Sequence, residues 1–251
     1  MDRLIYTVMS GASGTMSRQA AVAHNLANVT TQGYRAEEHR LRAVQVQTHN
    51  QNPAALPTRA FTVDASTHTD FSEGALSYTG GQFDVAVRGK GWLALALPDG
   101  TEAYTRNGSF SISENGILQT RSGVPVQGDG GPITISPDSR VTIGEDGTIS
   151  VVPEGGVPNV VNAVGRLKLV NPPEGDLVRG GDGLFRQANG AAAEQDDTVR
   201  VAAGHIENSN VNPVEQMVSM ISLARQFEMQ MRMITTAEAN DRAATQVLAP
   251  R

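Results

Sequence analysis

The chain has 251 residues, a formal net charge of −6, 39% hydrophobic and 18% charged residues, 26 glycines and no cysteine. That length allows one large domain or two to three small ones, with enough apolar residues for a packed core. Absence of cysteine excludes disulfides, thiolate metal sites and thiol nucleophiles, the acidic balance opposes a nucleic-acid partner, and no apolar run approaches the ~18 residues of a membrane span.

Residues 1–10 hold no apolar h-region, so no cleavable Sec-type signal is expected. Residue types are strongly partitioned along the chain. All eight methionines lie within 1–40 or 205–251, and 23 of the 26 glycines lie between those ends. The middle also carries 18 acidic and 12 basic residues, so the charge of −6 belongs to it and the ends together are neutral. Glycine costs ~1 kcal/mol in a helix relative to alanine, whereas Gly/Pro-dense segments suit short strands and turns. The predicted fold class is therefore α+β and multidomain, with helical ends enclosing a β-rich middle. The expected domains are 1–35 with 206–251 as a discontinuous helical assembly domain, 36–80 as an extended or β connector, and 81–205 as a β-rich domain.

The first predicted helix ends near Asn28 and carries the stripe Ile5, Met9, Ala12, Met16, Ala20, Ala23 and Ala27. The period of about 3.67 suits a nearly straight helix, and the alanines allow close approach of another backbone. Gly33 is a predicted turn. Residues 41–80 are weakly patterned, with Pro53 and Pro57. Strand-like runs follow at Phe83–Val87, Trp92–Leu97, Tyr104–Ile112, Ile117–Thr120, Ile133–Ile135, Val141–Ile143 and Arg166–Val170. Asp99-Gly100, Asn115-Gly116, Asp129-Gly130 and Asp146-Gly147 are the turns among them. The last helix opens on Asn212 as N-cap, Pro213 at N1 and Glu215 of a capping box. Met217, Met220, Ala224, Phe227, Met231 and Ile234 then recur at spacings of three and four, a heptad seam suited to packing on another helix. A helix of about 35 residues is roughly 50 Å long, so one alanine-lined partner covers only part of it. The remaining stripe is expected to meet neighbouring subunits, and the isolated termini to be largely disordered.

No chemistry emerges from the motifs. Gly89-Lys90-Gly91-Trp92-Leu93-Ala94 matches a dinucleotide fingerprint in letters, but only six alternating residues precede Pro98, too few for the helix that must meet the pyrophosphate. His24, His39, His49, His68 and His205 share no metal-ligand spacing, and neither a calcium loop nor a nucleophile elbow is present. The Asn28 and Asn107 sequons have no secretory signal to support them, and Arg225, Arg232 and Arg242 suit a solvated helix face. No catalytic residue, metal or cofactor is expected.

Four stretches carry a resemblance. Gln19–Arg35 contains Asn25-Leu26-Ala27-Asn28 followed by Thr31-Gln32-Gly33-Tyr34, and Ser209–Glu228 contains Asn210-Val211-Asn212-Pro213 and continues through Ile221. With Thr79–Trp92 and Tyr104–Phe110, in this order over nearly the whole chain, they resemble the signatures of bacterial flagellar rod and hook proteins. The chain length, Trp92, Gly165–Val170 and Asp182–Arg186 resemble the proximal-rod member more than the distal one, with the distal rod or another axial subunit as the alternative. The resemblance implies a structural subunit, polymerising helically in the periplasm as a torque-transmitting drive shaft. Its partners are implied to be proximal and distal rod subunits, further copies of itself and the flagellar type III export apparatus. The terminal helices are implied to pair as an inner coiled-coil layer with the β domain outside. By the same resemblance Asn25, Leu26, Asn28, Gly33, Tyr34, Asn210, Val211 and Ile221 join the two stripes as subunit-assembly residues. The rival reading from another class is an enzyme whose β domain carries a helical oligomerisation arm.

Overall fold

A computed structural model describes residues 2–45, 60–136, 139–153 and 162–248. They divide into two compact units, and the chain passes between these more than once. One unit draws on Met1–Val29, Ala36–Asp70 and Val211–Arg251, the other on Thr30–Arg35 and Phe71–Asn210.

The first unit contains helix α1 (Asp2–Ala27), strands β1 (Glu37–Gln45) and β2 (Ala60–Thr69), and helix α2 (Pro213–Leu248). Both helices lie where the residue partition places them. Asn212 is the N-cap of α2, its Oδ1 accepting from the Val214 N–H at 3.1 Å and the Glu215 N–H at 3.4 Å. α1 packs against α2, and the order of contacts makes the pair antiparallel: Gly11 lies beside Gln230, while Val22 and Asn25 share a cleft with Gln216 and Ser219. β1 and β2 form an antiparallel pair from Glu37↔Thr69 to Gln45↔Ala60, with a bulge at Arg40/Leu41, and both contact α1. The weakly patterned residues 41–80 thus contain most of a two-stranded antiparallel ribbon, rich in polar residues. Pro53 and Pro57 lie outside the described residues.

The second unit is built from short antiparallel strands. Its largest sheet has the order Leu169–Val170, Trp92–Ala96, Glu102–Thr105, Phe185–Gln187 and Leu177–Arg179. Successive side chains of a strand face opposite ways. Leu93 and Leu95 accordingly enter one buried cluster with Val85, Leu118, Ile149, Leu167 and Val201. Trp92 and Ala94 enter a second with Tyr104, Val170 and Phe185. Three expected strands are interrupted, Arg166–Val170 among them, which divides at Leu167–Lys168 between a strand ending at Arg166 and the pair Leu169–Val170. Tyr104–Ile112 breaks at Arg106–Gly108, where Asn107 Oδ1 accepts from the Ser109 N–H at 3.1 Å and a Cβ on Gly108 would collide with the Val85 carbonyl. Ile133–Ile135 holds a single bridge, Ile117↔Thr134, although both isoleucines are buried.

Candidate assembly surface

The helix pair buries a narrow and partly polar seam. On α1, Ala12, Thr15 and Asn25 are buried and Val8, Gln19, Val22 and Leu26 half-buried. On α2, Leu223 and Ala237 are buried, with Gln216, Met220, Phe227, Gln230 and Ile234 half-buried. Compared with the seam read from apolar letters, Met220, Phe227 and Ile234 keep their place. Ala224 is half-buried as well and stays with them, whereas Met217 and Met231 are exposed and Gln216, Leu223, Gln230 and Ala237 enter the seam. The polar glutamines are invisible to an apolar pattern.

What remains outside is unusually apolar for a helix surface. Val214, Met217, Val218 and Ile221 are 52–68% exposed and recur at i, i+3, i+4 and i+7, opposite the seam. Further along that side stand the exposed Arg225, Glu228 and Arg232, flanked by Met229, Met231 and Met233. On α1, Met9 and Met16 are more than half exposed, Ala20, Ala23 and Ala27 are exposed, Ile5 is half-buried and Ala12 turns inward. Scattered exposed hydrophobes are normal, but a contiguous stripe marks an interaction site. Methionine suits such a stripe because its flexible thioether adapts to irregular surfaces.

Of the residues named by the resemblance, Ile221 lies on the exposed stripe of α2, whereas Asn25, Asn28, Gly33, Tyr34, Asn210 and Val211 are held by contacts within the chain or buried. Asn25 is 3% exposed and binds the backbone of Glu37. Asn28 Nδ2 donates to the His24 carbonyl at 2.9 Å, closing the end of α1. In the second unit Gly33 has φ +67° and its N–H donates to the Glu207 carbonyl at 2.8 Å. Tyr34 is buried, its carbonyl accepts from the Asn210 N–H at 3.3 Å, and the Arg179 guanidinium lies 4.4 Å from its ring centre. Asn210 also donates to the Ser72 carbonyl, and Val211 is buried in the first unit.

One buried cluster escaped sequence reading. Glu207 Oε1 lies 2.6 Å from Arg35 Nη2 and its Oε2 lies 3.1 Å from Arg106 Nη1, with all three side chains at most 4% exposed. Burial lowers the pKa of Arg106, and Glu207 opposes that shift. Arg35 and Arg106 stand in motifs that drew attention, but nothing local marks Glu207 as their shared partner.

Among the described residues no group of three His, Cys, Asp or Glu side chains is placed to hold a metal ion. No described helix is long and apolar enough to cross a membrane.

Two family descriptions match: "Flagellar basal body rod FlgEFG protein C-terminal" over residues 202–247, and "Flagellar hook protein FlgE/F/G D1 domain" over residues 86–151. The chain is 44% identical over 254 residues to the flagellar basal-body rod protein FlgF of Salmonella typhimurium, covering 99% of each chain. It is 43% identical, with the same coverage, to FlgF of Escherichia coli. Its identity to the rod protein FlgG of Buchnera aphidicola from Acyrthosiphon pisum is 33% over 235 residues, covering 86% of this chain and 88% of the relative.

Proposed function

From the premise that this chain belongs to the flagellar basal-body rod protein family, as a structural component and not an enzyme, we propose that it is a proximal-rod subunit. In this reading it polymerises helically with itself and with other proximal and distal rod subunits, forming the shaft that transmits torque. It reaches the periplasm through the flagellar type III export apparatus, a route that absence of cysteine suits. The full-length match to proteins named FlgF, stronger than that to FlgG, supports the proximal placement.

The observation that carries the polymerisation is the outward stripe of α2. A helix apolar on two sides needs partners on two sides, and α1 covers one. The helices then extend their antiparallel pairing into a coiled-coil layer with those of neighbouring subunits. Met217, Ile221 and Met231 of α2 meet Ile5, Met9, Met16, Ala20, Ala23 and Ala27 of other copies. Heterologous contacts of this kind build open helical assemblies.

Complementation of a strain lacking the endogenous protein tests this reading. Met217→Asp combined with Ile221→Asp is expected to abolish motility and incorporation into basal bodies, with secretion and thermal unfolding unchanged. Normal motility overturns the assembly role. Labelling the wild-type subunit in isolated basal bodies tests the placement; a label beyond the distal-rod subunits overturns it.

A further inference from the structure

We propose that residues 33–35 form a strap that seats into the second unit after its hydrophobic core has assembled, and that Glu207 is its lock. Polar and ionic contacts hold the strap at each of its three residues, and the Tyr34 ring is buried. Gly33 N–H donates to the Glu207 carbonyl, Tyr34 accepts from Asn210, and Arg179 Nη1 donates to the Arg35 carbonyl at 3.0 Å while its guanidinium covers the Tyr34 ring. Arg35 is 1% exposed, yet neither hydrophobic cluster of the unit includes a residue of the strap. The core can therefore close without it.

The charges set the order. Two buried guanidiniums share the Glu207 carboxylate, which also accepts from the Gly74 N–H at 2.9 Å. Arg106 gains support from the Gly89 carbonyl at 2.6 Å, an oxygen available once the local turn has formed. Among the described residues the Arg35 guanidinium nitrogens, all buried, have no hydrogen-bond partner, and the ion pair of Nη2 with Glu207 is what makes their burial tolerable. Glu207 lies 101 residues beyond Arg106 and further still from Arg35. It reaches the cluster when Ile206 and its neighbours pair with Leu76–Tyr78. During synthesis the strap emerges long before its lock, and until the lock arrives Arg35 gains more from water than from the cluster.

The full chain supplies its own probe. Trp92 is the single tryptophan, 4% exposed, with the Arg106 guanidinium 5.4 Å from its ring. Folding and unfolding rates from its fluorescence are to be compared for wild type, Arg179→Ala, Arg35→Met and Glu207→Gln. Arg179→Ala removes the ring contact and the hydrogen bond to the strap. It is expected to unfold about tenfold faster with its folding rate within about twofold of wild type, as for contacts absent from the transition state. Arg35→Met leaves Arg106 and Glu207 paired and is expected to behave likewise. Slower folding with unchanged unfolding would place the strap in the nucleus and overturn the proposal, as would no change in either rate. Should Glu207→Gln fail to fold, the two arginine variants decide the question.

Discussion

Asn25 pairs with Glu37 as one strand pairs with another. The Asn25 Nδ2 donates to the Glu37 carbonyl at 2.8 Å, and its Oδ1 accepts from the Glu37 N–H at 2.9 Å. One side chain on α1 thus satisfies both backbone groups of the first residue of β1 and ties the hairpin to the helix. An aspartate keeps the acceptor and loses the donor; an alanine loses both.

Asn25→Ala is therefore expected to destabilise the hairpin by about 1–3 kcal/mol, the cost of leaving buried backbone groups unpaired. Amide exchange at Glu37 checks this, with faster exchange there than in wild type. Asn25→Asp should fall between the two, and exchange unchanged in both variants would show that the pairing contributes nothing.

Gly33 combines φ +67° with backbone contact, since a Cβ there would overlap the main chain of Arg106 and Asn107. Gly33→Ala is expected to cost roughly 2–4 kcal/mol, combining left-handed strain with a steric clash that backbone cannot yield to. Trp92 fluorescence during thermal unfolding reads the loss in the second unit. Gly100→Ala, where φ is +81° but nothing lies within 4 Å of the added Cβ, should cost less.

Three turns of the second unit repeat one acid-sensitive device. Asp99, Asp146 and Asp196 each accept from the hydroxyl and the N–H of the threonine two residues on. The threonine hydroxyl, followed by its N–H, holds each carboxyl below the ordinary aspartate value of 3.8. A depressed folded pKa contributes stability above the unfolded value and loses it as pH falls through the folded one. Melting temperature should accordingly fall as pH drops below about 4, and Thr101→Val, Thr148→Val and Thr198→Val together should flatten that acid limb. Serine at the same three positions should restore it. An acid limb identical in the valine variant would assign the loss to other groups.

Some of this architecture could be read from residue order and some could not. The helices declared themselves through methionine, alanine and the Asn212-Pro213 start, because helix formation is largely local. The seam was legible at Met220, Ala224, Phe227 and Ile234 but not at Gln216 and Gln230, half-buried sites that apolar periodicity cannot reveal. Residues 36–80 were legible only as an extended or β connector, and the pairing of Glu37–Gln45 with Ala60–Thr69 was not, because a two-stranded ribbon needs no strong alternation of apolar residues. The motif Gly33-Tyr34-Arg35 drew attention, but its roles depend on Glu207, Asn210 and Arg179, brought to it by tertiary structure. Glu207 has no local mark at all: an isolated glutamate becomes an ion-pair partner only when distant strands meet.

The outward face of α2 is the centre of the functional account, and the absence of native cysteine allows it to be tested directly. Met217→Cys and Ile221→Cys each place a unique thiol on that face, and Leu223→Cys places one in the seam, where the leucine is 4% exposed. Thiol labelling is to be compared between the free subunit and isolated basal bodies that contain it. The expected result is rapid labelling at 217 and 221 in the free subunit, strong protection of both in the basal body, and protection of 223 in both states. Equal labelling of 217 and 221 in the free and incorporated subunit would contradict the assignment of this face to subunit assembly.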